Sequence, residues 1–303
     1  MHGDRPSSTA RLIARAMLLA AQDRDRRRLV PVDAATLLTG ILAADGRSAW
    51  FDLLLRHPWA ARWAWRCERL ILPGIIVHFL ARKRWIEQQV LASLRDGCEQ
   101  VVVLGAGYDT LAARLHAAWP KADFFELDHP ATQRPKTQAL SSAGQQAGGN
   151  LFFLPVDFGV ELPRETLAGF PRFQASRRTC FVAEGLLMYF PVSRVTDLLR
   201  NLASTPSSTL IFTFMEPAPD GRAAFRGNRG LINSWLRLRR EPFAWASSRT
   251  GVQALFPSCG WQVDVIAGPD DLRRDVLIPA DLGHAALAEG ECLGRASTPA
   301  LRS

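Results

Sequence analysis

Gly105 and Gly107 close the run Val101-Val-Val-Leu-Gly-Ala-Gly-Tyr-Asp-Thr110. Four apolar residues entering such a turn read as a buried strand, and Leu111 to His116 continues as a helix. Glycines here allow positive φ and close backbone approach, which a nucleotide-like cofactor needs at the carboxyl end of a first strand. The third glycine of a dinucleotide fingerprint is missing, because Thr110 stands three residues beyond Gly107. A cofactor without a pyrophosphate therefore fits better than one with it. Further on, Phe124-Phe-Glu-Leu-Asp128 places a carboxylate at the end of a second strand, where it can accept both hydroxyls of a ribose. Asp128 also reads as the N-cap of a helix starting at His129-Pro130, and the two roles are compatible.

Three motifs follow one another: Leu104-Gly-Ala-Gly-Tyr-Asp-Thr110, Glu126-Leu-Asp-His-Pro130 with Lys136 beyond it, and Glu184-Gly-Leu-Leu-Met-Tyr189. Together, from about residue 75 to residue 270, they resemble the leucine carboxyl methyltransferase family, and within it the bacterial small-molecule O-methyltransferases. The family's arginine motif upstream of the glycine turn is matched by Ala81-Arg-Lys-Arg84, with Ile86-Glu87 where an Ile-Asp pair is more usual. This leaves the choice between Arg82 and Arg84 open. The resemblance implies a Rossmann-like class I fold: α/β, a doubly wound and mostly parallel seven-stranded sheet, with a helical cap and an insertion after strand five. It implies S-adenosyl-L-methionine as cofactor and S-adenosyl-L-homocysteine as product. By resemblance Arg82 pairs with the methionine carboxylate, the backbone of Gly105, Ala106 and Gly107 lies beneath it, and Asp128 holds the ribose. Asp157, in Pro155-Val-Asp-Phe158, would accept from the adenine amino group, Phe158 would supply an amide and an apolar wall, and Glu184 would sit near the ammonium.

Plainer readings stand beside these. Arg82 fits a solvated helix charge and Asp157 a turn cap, whereas Glu184 next to an apolar run needs a partner if buried. Tyr189, one of two tyrosines, reads equally as a substrate contact or a packed aromatic. His78, His116 and His129 lack the spacing of a metal site or triad, so no metal is expected and they read as structural.

The elements that must position these residues show in the patterning. Residues 1–9 are polar and read as frayed, and Arg11 to Leu94 has helical spacing. Apolar runs then alternate with helix-like stretches: Val101–Leu104, Asp123–Leu127, Leu151–Val156, Thr179–Ala183 and Leu210–Phe214. Such runs argue for a parallel sheet covered on both faces. The rhythm breaks over 217–250, an insertion, and Trp261–Ile266 alternates like one more strand. The expected organisation is a helical cap over 1–97 and a cofactor-binding domain over 98–303 with a cap insertion at 217–250.

The net charge of +8 suggests nucleic acid until it is located. Residues 1–97 carry +7, 98–216 carry −1 and 217–303 carry +2. The cofactor-binding centre is neutral, aromatic RNA-binding signatures are absent, and no nucleic-acid partner is expected. Five cysteines, none within thirty residues of another, fit neither a disulfide framework nor a zinc site. Arginine interrupts the apolar stretch at the N-terminus, and Leu70 to Leu80 is too short to span a bilayer, so a cytoplasmic protein with no membrane partner is expected.

Seven of nine tryptophans (Trp50, Trp59, Trp63, Trp65, Trp85, Trp235 and Trp245) lie in the cap regions. The insertion region adds Arg222, Arg226, Arg229, Arg237, Arg239, Arg240 and Arg249. The expected acceptor is a small molecule, acidic or aromatic and of secondary-metabolite type, met by one or two of these arginines. In-line transfer to an ionised carboxylate needs no general base, whereas a phenol more often does. Alternatives are a phenol or other hydroxyl acceptor, a protein C-terminal carboxylate, a cofactor-binding partner protein without turnover, and a nicotinamide oxidoreductase.

Overall fold

The computed structural model describes residues 6–46, 49–143, 149–226 and 241–298. Five helices come first: α1 (Ser8–Ala21), α2 (Val32–Ala44), α3 (Ala49–Arg56), α4 (Pro58–Ile71) and α5 (Ile75–Arg95). Strands and helices then alternate: β1 (Gln100–Leu104), α6 (Leu111–Leu115), β2 (Asp123–Asp128), α7 (Pro130–Ser142) and β3 (Leu151–Pro155). They continue as α8 (Pro163–Ala168), β4 (Thr179–Ala183), α9 (Val192–Ala203) and β5 (Thr209–Met215), then α10 (Arg249–Ser258), β6 (Gln262–Ala267) and β7 (Glu291–Ser297).

The seven strands form one sheet in the order β3-β2-β1-β4-β5-β7-β6. The first five pair in parallel, and β7 runs antiparallel between β5 and β6. This is the mostly parallel, doubly wound sheet that the strand-like runs and the resemblance imply. Successive residues of β1 serve opposite faces, as strand geometry dictates. Val101 and Val103 join a core with Ala14, Leu38 and Val90 of the N-terminal helices. Val102 and Leu104 join a second core with Phe125, Phe181, Phe212 and Phe256. The N-terminal helices thus share a core with the sheet rather than forming one of their own.

Order reaches further toward the N-terminus than the polar composition suggests. Ser7 caps α1, its Oγ accepting from Ala10 N at 3.1 Å, and its own amide donates to Thr132 Oγ1 at 3.1 Å. Glu241 then accepts from the amides of Ser8 (3.0 Å) and Thr9 (3.1 Å) and from the Thr9 hydroxyl (2.5 Å). A carboxylate on a helix N-terminus satisfies amides that have no partner within the helix and meets the positive end of its dipole. Residues 7–9 are therefore held, contrary to the frayed end expected. Among the described residues no helix is long and apolar enough to cross a membrane.

Candidate active site

Parallel strands beside one another end on one edge, and the order reverses between β1 and β4, which opens a crevice there. Gly105 follows the last residue of β1, Asp128 ends β2, Asp157 stands two residues beyond β3, and Glu184 follows β4. All four line a single cavity of about 1140 Å³, together with Arg82, Ala106, Gly107, Phe158 and Tyr189. The residues assigned to the cofactor by resemblance, and Tyr189, are thus brought to one place.

The glycine turn is tight because its neighbours are close. Gly105 and Gly107 have φ of +62° and +53°, a region that side chains with a Cβ avoid. A Cβ on Gly105 would lie 2.8 Å from Leu186 Cδ1, and one on Gly107 would lie 3.2 Å from Ala10 Cβ. Helix α1 therefore crosses directly over the turn.

Asp128 does not cap α7. His129 does, with Nδ1 accepting from Ala131 N at 3.3 Å. Instead, Asp128 Oδ2 accepts from Gly107 N and Oδ1 from His129 N, both at 2.8 Å. Burial raises its pKa to about 6, against the pull of those two amides and of Lys136. Each oxygen keeps a lone pair for a further donor. A ribose diol fits that spare capacity.

Arg82 is the buried arginine of its motif, whereas Arg84 is partly exposed and sits 3.6 Å from Glu87. The guanidinium of Arg82 contacts Glu184 Oε1 at 2.9 Å and Glu291 Oε2 at 2.8 Å. Burial opposes its charge, but Glu291 and Glu184 outweigh burial and raise its pKa. Lys83 lies 3.2 Å from Asp109 and 3.1 Å from Glu184. Burial disfavours the charge of Asp109, yet Lys83, Lys136 and Arg114 bring its pKa down to about 2. Glu184 thus has the partners that its place beside an apolar run required. The site holds an alternating lattice of charges into which a zwitterion, with one cation and one anion, can insert.

Asp157 accepts from Gly159 N at 2.8 Å, so the turn-capping role holds while its side chain still lines the cavity. Tyr189 packs on Phe243 with ring centroids 5.5 Å apart and also faces the cavity. Burial raises its phenol pKa and keeps it protonated, with Thr9 as a hydrogen-bond partner.

Three participants lay outside the sequence reading. Glu291 opens β7, a strand with little alternation, and His78, read as structural, meets it at 2.7 Å with both side chains fully buried. Lys83 sat unremarked inside the arginine motif. The apolar wall contributed by α3, α4 and the start of α5 gave no signal beyond tryptophan frequency.

The insertion behaves differently from expectation. Arg222, Arg226 and Arg249 pair with Asp220, Glu216 and Glu289 and do not line the cavity. Arg229, Arg237, Arg239, Arg240 and Trp235 lie outside the described residues. What the region brings to the site is Phe225, Phe243 and the acid Glu241 that holds α1. Of the cap tryptophans, Trp65, Trp85 and Trp245 are buried packing residues, whereas Trp50, Trp59 and Trp63 line the cavity mouth.

Residues 12–203 match the leucine carboxyl methyltransferase family model. A relative from Mycolicibacterium gilvum, assigned by name to the S-adenosyl-L-methionine-dependent methyltransferases, is 32% identical over 198 residues. That alignment covers 64% of this chain and 63% of the relative, a little under two thirds of its length. One from Mycobacterium ulcerans, with the same assignment, is 31% identical over 231 residues, covering 73% of this chain and 71% of its own. In fold, the chain is similar to a crystal structure from Thermobifida fusca assigned to the methyltransferases, with a TM-score of 0.57 and 14% identity, covering 98% and 96% of the two chains. The chain belongs to the leucine carboxyl methyltransferase family.

Proposed function

We propose that this enzyme methylates a carboxylate of a small-molecule acceptor, giving a methyl ester. The observation that carries the reading is the convergence of Arg82, Gly105, Asp128, Asp157 and Glu184 on one cavity large enough for two ligands. Single small-molecule sites usually occupy about 300–1,000 Å³. The cavity exceeds that range.

In this reading Arg82 and Glu184 hold the carboxylate and ammonium of the methionine portion, each exchanging part of its present ion pairing for the ligand's. Gly105, Ala106 and Gly107 give backbone beneath it, Asp128 takes the ribose hydroxyls, and Asp157 with Phe158 takes the adenine. When bound, S-adenosyl-L-methionine supplies a methyl group already activated by its sulfonium. The protein's share of the work is to align the acceptor oxygen with that methyl and exclude water. Tyr189, kept protonated, offers a hydroxyl donor at the acceptor's side.

The choice of a carboxylate rests on the state of the other groups. Among the described cavity residues, Asp109, Asp128, Asp157, Glu184 and Glu291 each accept from a cation or a backbone amide. His129 spends Nδ1 on α7. An ionised carboxylate loses no proton on methylation and can use such a site, whereas a hydroxyl acceptor has to give its proton to a base. The largely apolar cavity favours a small molecule over a protein terminus.

Calorimetric titration with S-adenosyl-L-homocysteine and with NAD tests the cofactor half; binding of NAD alone overturns it. Incubation with methyl-labelled cofactor and acid-fractionated extracts, followed by alkali, tests the acceptor half. Base-labile label is expected, and base-stable label points to a hydroxyl acceptor instead.

A further inference from the structure

Four cations line the cavity away from its histidine: Arg11, Arg15, Arg82 and Lys83. Three are matched by carboxylates. Arg11 is bonded to both oxygens of Asp45, at 2.5 and 2.7 Å, and Arg82 and Lys83 have the partners given above. Arg15 has no ion pair among the described residues, and its Nε is buried without a hydrogen-bond partner. Its guanidinium lies over the ring of Phe51, 5.3 Å from the centroid, where a cation is attracted to the ring face.

The wall around Arg15 is apolar and aromatic. It is built from α1, α3, α4 and the first turns of α5, with Trp50, Phe51, Leu53, Trp59, Trp63 and Phe79 facing the space. Trp50, Trp59 and Trp63 are 67%, 57% and 64% exposed, far more than tryptophan usually is. The acid on this wall, Glu68, is turned to the amides of Gly74, Ile75 and Ile76 at the start of α5. Arg15 is only partly buried, so its guanidinium is open to the cavity while its Nε has no partner, which leaves it free to take an anion. Burial and the neighbouring Arg11 act against its charge and outweigh the support of Asp45, and a bound anion would add to that support.

We propose that this chamber is the acceptor site and takes a lipophilic acid, with a long alkyl or polycyclic body packed on Trp50, Trp59 and Trp63 and its anionic group held by Arg15. The inference deepens the carboxylate reading and rests on it. It differs from the sequence expectation in place: the arginine that meets the acceptor stands on the first helix, not in the insertion.

The test uses the full-length enzyme saturated with S-adenosyl-L-homocysteine, titrated calorimetrically with dodecanoate and with 1-dodecanol, which share a tail and differ in charge. Dodecanoate is expected to bind about tenfold more tightly, the scale of one partly desolvated charge-assisted contact. Arg15→Gln removes this preference and leaves dodecanol within about twofold, while Arg15→Lys keeps most of it. Trp59→Ala with Trp63→Ala weakens both ligands about tenfold, as loss of two large apolar contacts requires. Affinity for S-adenosyl-L-homocysteine stays within about twofold in every variant. Equal affinity for the acid and the alcohol, or binding of neither, in enzyme that does bind S-adenosyl-L-homocysteine overturns this proposal alone. A tenfold loss of S-adenosyl-L-homocysteine affinity in Arg15→Gln also overturns it, by assigning Arg15 to the cofactor. Failure of the wild-type enzyme to bind S-adenosyl-L-homocysteine at all overturns the underlying reading as well.

Discussion

Arg82 of α5 and Glu291 of β7 meet at 2.8 Å with 4% and 0% of their side chains exposed, although 209 residues of chain separate them. The contact ties a cap helix to the sheet beneath the cofactor crevice. It also fixes the state of the acid: burial would lift Glu291, but Arg82 and His78 bring its pKa down to about 2.

Removing that acid leaves Arg82 in the interior with Glu184 as its remaining carboxylate. Glu291→Gln keeps the shape and lowers unfolding free energy by about 1–3 kcal/mol, less than the cost of orphaning a buried charge because Glu184 stays paired with Arg82. Urea denaturation measures it. The double variant with Arg82→Met is expected to lose much less than the sum of the two singles. Additive losses would mean the two side chains are not energetically coupled.

Asp128 carries a pH signature. Its folded pKa near 6 lies above the ordinary aspartate value of about 3.9, so its effect on folding is favourable below pH about 4 and is lost as pH rises through 6. Ligand affinity runs the opposite way, since the ionised carboxylate is the form that accepts ribose hydroxyls. Affinity for S-adenosyl-L-homocysteine should fall about tenfold per pH unit below 6 and level off above it. Calorimetry between pH 5 and pH 7.5 reads the curve, and Asp128→Asn should bind more weakly with most of this dependence gone. An unchanged slope in the variant would place the titrating group elsewhere.

Gly105→Ala tests the cradle. The left-handed backbone costs an alanine about 1–2 kcal/mol, and its methyl would press on Leu186 Cδ1 at 2.8 Å. Loss of at least about tenfold in S-adenosyl-L-homocysteine affinity is expected, because in the proposed reading the methionine portion rests on this backbone. Adding Leu186→Ala should restore part of the stability but not the affinity. Recovery of both would show that packing alone was at stake.

Lys136 and Glu126 form a second buried ion pair, on α7 and β2. Burial lifts Glu126 to about 7 even though Lys136 holds it down. In Lys136→Met the carboxyl loses that help and rises further, so it takes up a proton more readily. The variant should lose about 3 kcal/mol at pH 8 and clearly less at pH 5.5, where the acid is neutral in both proteins. Denaturant titrations at the two pH values decide it; equal losses would locate the lysine's contribution in packing.

The strands and the strand-end residues were legible in the sequence because each rests on local signals. β-branched runs, a two-glycine turn and an acid at a strand end are patterns of a few adjacent residues. Partnership across the chain was not legible. Glu291 opens a strand whose residues, Glu-Cys-Leu-Gly-Arg-Ala-Ser, carry no clear apolar alternation, and its meaning comes from Arg82 and His78 arriving from the far end. Lysine scarcity held a readable clue. The chain has three lysines, and two of them, Lys83 and Lys136, sit in interior ion pairs, where the abundant arginines would have masked a third such case. The aromatic mouth was visible as tryptophan frequency, yet frequency cannot separate buried Trp65 and Trp85 from exposed Trp59 and Trp63. That distinction depends on which helix face meets the sheet.

The position of β7 has a consequence for how the molecule is made. It follows β6 in the chain but lies inside it in space, flanked on both sides. On the ribosome β6 emerges before the neighbour it must pair with, so an open edge at β5 persists until residues 291–297 have cleared the exit tunnel. Translation therefore delivers the strand that joins β6 to the sheet after β6 itself, and the charge that balances Arg82 arrives with it.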